Sequence, residues 1–261
     1  AAERMVSGLD DAQSQMETLT TLAGIMRKAK QDAEVKKLEQ QLTKLEVRDY
    51  AEYAKKSPPF QPEEFKGRDV KKDQVVLVEL FTGAECPPCV AVDLAFDALE
   101  RTYKPSEVIF LQYHLHIPRP DPLCNADVEA RQTFYGDKIR GTPSIFFNGK
   151  KDSAGGGPAS VAKRKYDAYR KDIEAAFDRE APVKLSVGAV AKGDEIAIKA
   201  NVSGVEKPSD KIALRLALVE ERVRYTGGNG LRYHHSVVRA MPGGPKGLPL
   251  TKATGEQTTT V

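Results

Sequence analysis

At 261 residues the chain is long enough for one large or two modest domains, and a composition 40% hydrophobic and 30% charged is that of soluble globular protein. The 40 basic and 37 acidic side chains leave a net charge of only +3, which argues against nucleic acid or an anionic membrane as partner. No apolar stretch approaches the ~20 residues of a membrane span, and 3 cysteines are too few for a disulfide scaffold.

The N-terminus, Ala1-Ala2-Glu3-Arg4, runs straight into polar helix-like sequence, with no signal peptide visible. Met16, Leu19, Ala23 and Met26 recur at helical spacing, as do Leu38, Leu42 and Leu45. We read residues 1–57 as a helical arm, one long helix or two with a break near Gln31-Asp32. Its narrow stripe either packs on its own chain or forms a homodimer seam. Ser57-Pro58-Pro59-Phe60-Gln61-Pro62 ends it, because proline lacks an N–H and disfavours helix in the residue before it. Residues 58–69 are the linker.

Residues 70–181 read as mixed α/β. Val75 to Phe81 is apolar on both faces except for Glu79, the pattern of a central buried strand. Thr82-Gly83-Ala84-Glu85 turns the chain into Cys86-Pro87-Pro88-Cys89, and Val90 to Tyr103 follows as a helix with Val92, Phe96, Leu99 and Tyr103 inward. Two cysteines at this spacing between strand and helix suit a dithiol redox site, or half of a zinc site. Cys86 falls where a helix N-cap would be, and Pro87 at a position where a missing N–H costs nothing. The helix dipole favours a thiolate there, so Cys86 is the expected nucleophile and Cys89, one turn on and less exposed, the resolving thiol. Glu79 is a carboxyl in an apolar strand, either taking the proton of Cys89 or paired with a lysine or with water.

Val108 to His116 reads as a second strand that puts His114 and His116 on one face. With Cys86 and Cys89 these would make a Cys2His2 set for zinc or copper; the alternative is polar residues at an exposed strand end. A Pro-rich loop leads to Asn125, an N-cap for a short helix through Tyr135 that Gly136 ends. Cys124 reads as an inert thiol. Pro143 heads the strand Ser144 to Phe147, and Asn148-Gly149 signals a hairpin.

The strand, Cys86-Pro87-Pro88-Cys89, the helix after it and Gly141-Thr142-Pro143 with its strand and turn together resemble a thioredoxin-fold oxidoreductase. The resemblance implies a cis Pro143 against the dithiol, a Thr142 backbone offered to an extended substrate, an acid at Glu79, and Ala159 to Phe177 as the closing helix. It also implies action on protein or small-thiol disulfides without a dissociable cofactor. Two positions depart from the family. Glu85 stands where a Trp is frequent and should raise the Cys86 pKa. The double proline leaves the redox poise open. The Tyr113-His114-Leu115-His116 stretch, the Asp121-Pro122 loop and Arg224-Tyr225-Thr226-Gly227-Gly228 look most like exported bacterial thioredoxin-like proteins with a C-terminal β domain, which implies an extracytoplasmic location.

Residues 182–261 read as that β-rich, Ig-like domain. Val183 to Ala191, Glu195 to Val202 and Ile212 to Glu220 are its strands, the last thirty residues are loops, and the end reads as truncated. His234-His235 reads as a solvated loop. The expected fold is thus an α/β thioredoxin-like domain with an N-terminal helical arm and a C-terminal β-sandwich-like domain. A second function remains open, a non-catalytic binding or assembly module in which the cysteine pair is structural or metal-bound.

Overall fold

The computed structural model describes residues 11–68, 73–151 and 155–261; the expected start of the helical arm and of the α/β segment near Val70 lie outside them. The chain divides after Phe60 into two compact units. The first holds α1 (Ala12–Lys28) and α2 (Asp32–Ala54). Asp11 caps α1 by accepting from the Ser14 N–H at 2.8 Å. Lys30, in left-handed conformation at φ 57°, makes the break that the sequence puts at Gln31-Asp32. Leu19, Ala23 and Leu38 pack together with Leu22, Met26, Leu42 and Leu45. The apolar stripe thus packs within a helical hairpin of its own chain, the first of the two alternatives.

The second unit is built on a six-stranded mixed sheet with order β4-β3-β1-β2-β9-β8. Its centre is β1 (Val76–Thr82), parallel to β2 (Val108–His114) and antiparallel to β3 (Ser144–Phe147). Asn148 and Gly149, at φ 48° and 76°, turn β3 into the short β4 (Lys150–Lys151). Side chains alternate along β1. Thr82 points toward α3 (Val90–Thr102), where it meets Asp93, and α5 (Ala162–Ala176) packs on α3. Glu79 and Phe81 point the other way, toward α4 (Ala126–Tyr135). Asn125 caps α4 by accepting from the Asp127 and Val128 N–H groups at 3.1 Å.

The C-terminal β region does not stay wholly apart from the α/β sheet. β8 (Leu218–Arg224) and β9 (Tyr233–Ala240) pair as a hairpin and join the central sheet, β9 lying parallel to β2 with Gln112 opposite Val237. The Ile212 to Glu220 stretch is broken at 215–217, and its first half is β7 (Ser209–Leu214), paired with β10 (Leu248–Leu250). β5 (Lys184–Lys192), β6 (Glu195–Ser203) and β11 (Gly255–Thr260) make a three-stranded sheet in the order β11-β6-β5. Ala200, Val202, Val205, Leu214 and Leu250 form the small core of these outer strands. The last thirty residues, expected as loops, thus supply three strands. No described helix is long and apolar enough to cross a membrane.

Candidate functional site

β1 delivers the chain into the Gly83–Glu85 turn, closed by the Cys86 N–H donating to Gly83 O at 3.1 Å. Cys86 has extended backbone (φ −109°, ψ 94°) and precedes a single 3-10 turn, Pro87–Cys89, that opens α3. The two prolines occupy positions whose N–H groups would have no intrahelical partner. Cys86 and Cys89 are joined in a disulfide with Cα atoms 5.4 Å apart. Pro87 and Pro88 are exposed, but Cys86 is only 1% exposed and Cys89 0%. The expected contrast between an open first and a hidden second cysteine is absent in this oxidised form.

Three segments close around the dithiol. Thr142–Pro143 is a cis peptide, and the Thr142 hydroxyl donates to Cys86 Sγ at 3.3 Å. Gly155 to Gly157 comes second. The Gly157 N–H donates to Pro88 O at 2.7 Å, and a Cβ on Gly156 would lie 2.1 Å from that same oxygen and 3.0 Å from Pro143 Cδ. Only glycine fits between the two prolines. The third is the loop between β8 and β9. The Asn229 N–H donates to Ala84 O at 2.8 Å, and a Cβ on Gly227 would meet Ala84 O at 2.4 Å. Glu85 accepts from Tyr225 Oη at 3.3 Å and lies 3.6 Å from Arg119, so an arginine stands against the carboxylate beside Cys86.

Behind the turn runs a buried polar chain. Asp121 accepts from the Ala84 N–H at 2.6 Å and the Leu123 N–H at 2.8 Å, and pairs with His114 Nδ1 at 3.0 Å. Burial works against its charge, but these bonds and His114 hold the carboxyl below its ordinary range. His114 Nε2 meets Gln112 Oε1 at 3.1 Å. Thr82 donates to Asp93 Oδ1 at 2.6 Å, and Asp93 Oδ2 is buried without a hydrogen-bond partner among the described residues. Burial pushes the Asp93 carboxyl well up, and the charges of Asp97 and Asp121 add to it. His234 stands edge-on to His114, with ring centroids 4.8 Å apart, and is pushed down to about 3 by burial. It is thus neutral, and its Nε2–H donates to Tyr225 O at 3.0 Å, tying the β8–β9 loop to this chain.

Several sequence expectations change here. Glu79 is not brought to the cysteines. Its Oε1 accepts from Arg131 Nη2 at 2.7 Å, Arg131 Nε at 2.9 Å and Tyr113 Oη at 3.1 Å, and its Oε2 from Tyr135 Oη. The reason is parity: Thr82 faces α3, and a residue three positions earlier must face the opposite side. The Cys86, Cys89, His114 and His116 set does not assemble either. The cysteines are bonded to each other, β2 ends at His114, and beyond it the chain turns, leaving His116 exposed and accepting from the Asp121 N–H at 2.9 Å. His234 and His235 are buried strand residues, not a solvated loop. Cys124 is half-buried, its thiol pushed up to about 11 by burial, so it carries little thiolate at neutral pH. Asp93 and Gly156 escaped the sequence reading, which met the Asp121-Pro122 loop and Arg224 to Gly228 only as part of a resemblance and gave them no role. The one available signal was Asp93 itself, a carboxylate on the inward side of an apolar helix, four residues after Cys89.

No protein-family model matches the chain, and no curated protein matches it. Two solved structures resemble it. A structural-genomics protein of Agrobacterium tumefaciens aligns at 19% identity over 75% of this chain and 80% of that one, with a TM-score of 0.45. HBP35 of Porphyromonas gingivalis aligns at 15% identity over 72% of this chain and 64% of that one, with a TM-score of 0.51. The likeness to HBP35 is one of fold, and this chain spans less than two thirds of it.

Proposed function

We propose that this protein is a thiol-disulfide oxidoreductase of thioredoxin-like fold, acting on protein or small-thiol disulfides. The observation that carries the reading is the Cys86–Cys89 disulfide at the head of α3, facing the cis Thr142–Pro143 peptide across a 3.3 Å Thr142 contact. The β4-β3-β1-β2 part of the sheet, with α3 and α5 on one face and α4 on the other, supports it.

In the reduced protein the Cys86 thiolate attacks one sulfur of the substrate disulfide. That S–S bond breaks, a mixed disulfide forms on Cys86, and a substrate thiolate leaves and is protonated. Cys89 then loses its proton and attacks Cys86 Sγ. The mixed disulfide breaks, the second substrate thiolate leaves, and the Cys86–Cys89 bond is restored with two electrons passed to the substrate. Run backward, the same steps oxidise a substrate dithiol. Asp93, one helical turn after Cys89, takes the proton-handling role that the sequence offers to Glu79. Its burial makes it a stronger base toward a thiol than an exposed carboxylate would be. Thr142 and Pro143 form the ledge for substrate backbone. The same reading places the protein outside the cytoplasm, supported by the disulfide and by the sequence resemblance to exported proteins.

The test is insulin-type disulfide reduction with a small-thiol donor. Cys86→Ala abolishes turnover and Cys124→Ala leaves it unchanged; turnover surviving in Cys86→Ala overturns the reading.

A further inference from the structure

On the α3 face, away from the dithiol, Asp97 and Glu100 lie one helical turn apart and meet His235 of β9. Ligand atoms of all three lie within 4.8 Å of one another. His235 Nδ1 is 2.9 Å from Asp97 Oδ1, and the Ser236 hydroxyl donates to Glu100 Oε1. Asp97 is 3% exposed and His235 7%.

Three observations mark this cluster as more than an ion pair. First, Asp97 Oδ2 is buried without a hydrogen-bond partner among the described residues, which is costly for a carboxylate. Second, two carboxylates, those of Asp97 and Glu100, converge on the one imidazole of His235. Third, the backbone is bent to build it. In a regular strand His235 and Ser236 would point to opposite faces. Ser236 instead adopts a left-handed φ of 48°, and both side chains reach α3. A non-glycine residue held there inside a strand is strained.

We propose that Asp97, Glu100 and His235 bind a divalent cation of the zinc class. One imidazole nitrogen and two carboxylates are a donor set suited to Zn2+ and poorly suited to Mg2+ or Ca2+, which prefer all-oxygen shells. Binding replaces the His235–Asp97 contact with bonds to the ion and gives Asp97 Oδ2 a partner. The half-buried Glu100 leaves the fourth position open to water. The ion joins the helix that carries the dithiol to the strand from the C-terminal hairpin, so it stabilises their docking whatever the cysteines do.

The second cluster of metal-capable side chains among the described residues, His116 with Cys124 and Glu129, is mostly exposed and must be silenced in the experiment. The full chain, oxidised so that Cys86–Cys89 is closed and carrying Cys124→Ser, is stripped with chelator and titrated with Zn2+ by calorimetry, with a thermal melt at each step. One equivalent binds and raises Tm, and Mg2+ does neither. His235→Gln and Glu100→Gln each weaken zinc binding by about tenfold or more. The proposal is overturned if this protein takes up no zinc, or if both variants bind it as well as the parent. Glu100→Gln changes a half-buried carboxylate to its isostere, so it remains a fair test should His235→Gln fail to fold. Insulin reduction by the chelated parent separates this site from the dithiol: it persists if the redox reading holds and is lost only if that reading fails.

Discussion

The two faces of the central sheet handle buried carboxylates in opposite ways. Toward α4, Glu79 meets the Arg131 guanidinium and two tyrosine hydroxyls, and Tyr113 and Tyr135 are both pushed far up, by burial first and then by the Glu79 charge, so both remain donors. Toward α3, the buried Asp93 meets Thr82, Asp97 meets His235, Asp121 meets His114 and backbone N–H groups, and the half-buried Glu100 meets Ser236. A carboxylate matched by a guanidinium has a permanent counter-charge, whereas one met by a histidine or a hydroxyl does not. Burial of an acid thus says little about its role until its counter-charge is known.

The largest break in this contrast comes from Arg131→Met. It leaves Glu79 buried and uncompensated, at a cost of about 3–5 kcal/mol in urea unfolding. Adding Glu79→Leu to that variant returns most of the loss, and a double variant as unstable as the single one would mean that Glu79 does not depend on Arg131. On the other face, Asp93→Asn acts through pH. A carboxyl raised by folding contributes stability that is fully present below its unfolded pKa of about 3.9 and is lost as pH rises toward its folded value. The Asp93 contribution therefore falls as pH rises from about 4 upward, opposite in sign to that of Asp121, and Asp93→Asn removes that fall. The same substitution slows resolution of the mixed disulfide. Parallel pH–stability curves for the two proteins would remove the difference between the faces. The smallest effect is that of Asn229→Ala. It removes the Asn229 side-chain bonds to Gly83 O and the Leu231 N–H, costing about 1 kcal/mol, and loosens the loop against Ala84 and Glu85. Reduction of Cys86–Cys89 by a small thiol speeds up. An unchanged rate would mean that the loop does not limit access.

What the sequence makes legible here is local. Cys86 at a strand–helix junction, Asn125 before α4 and Asn148-Gly149 between β3 and β4 carry their geometry in two or three residues, and the structure has them in those places. The face Glu79 chooses depends on the parity of β1 relative to the turn that follows it, and no spacing rule supplies that. β9 was hidden because its parallel neighbour, β2, is remote in the chain, and because His234-His235-Ser236 breaks the alternation by which a strand is recognised. Asp93 and Asp97 read as ordinary helix polars until β2 and β9 close over them.

The insertion of β9 beside β2 also bears on how the chain is made. Gln112 emerges from the ribosome long before Val237, its partner. Until then β2 is an open edge with unpaired N–H and C=O groups, a template for any extended segment nearby. A nascent chain with its cysteines already exposed must wait for its C-terminal hairpin before the sheet that holds them is finished, and non-local pairing of this kind is slow. The period of greatest exposure to aggregation, or to a disulfide formed with Cys124 instead of between Cys86 and Cys89, falls between the synthesis of those two strands.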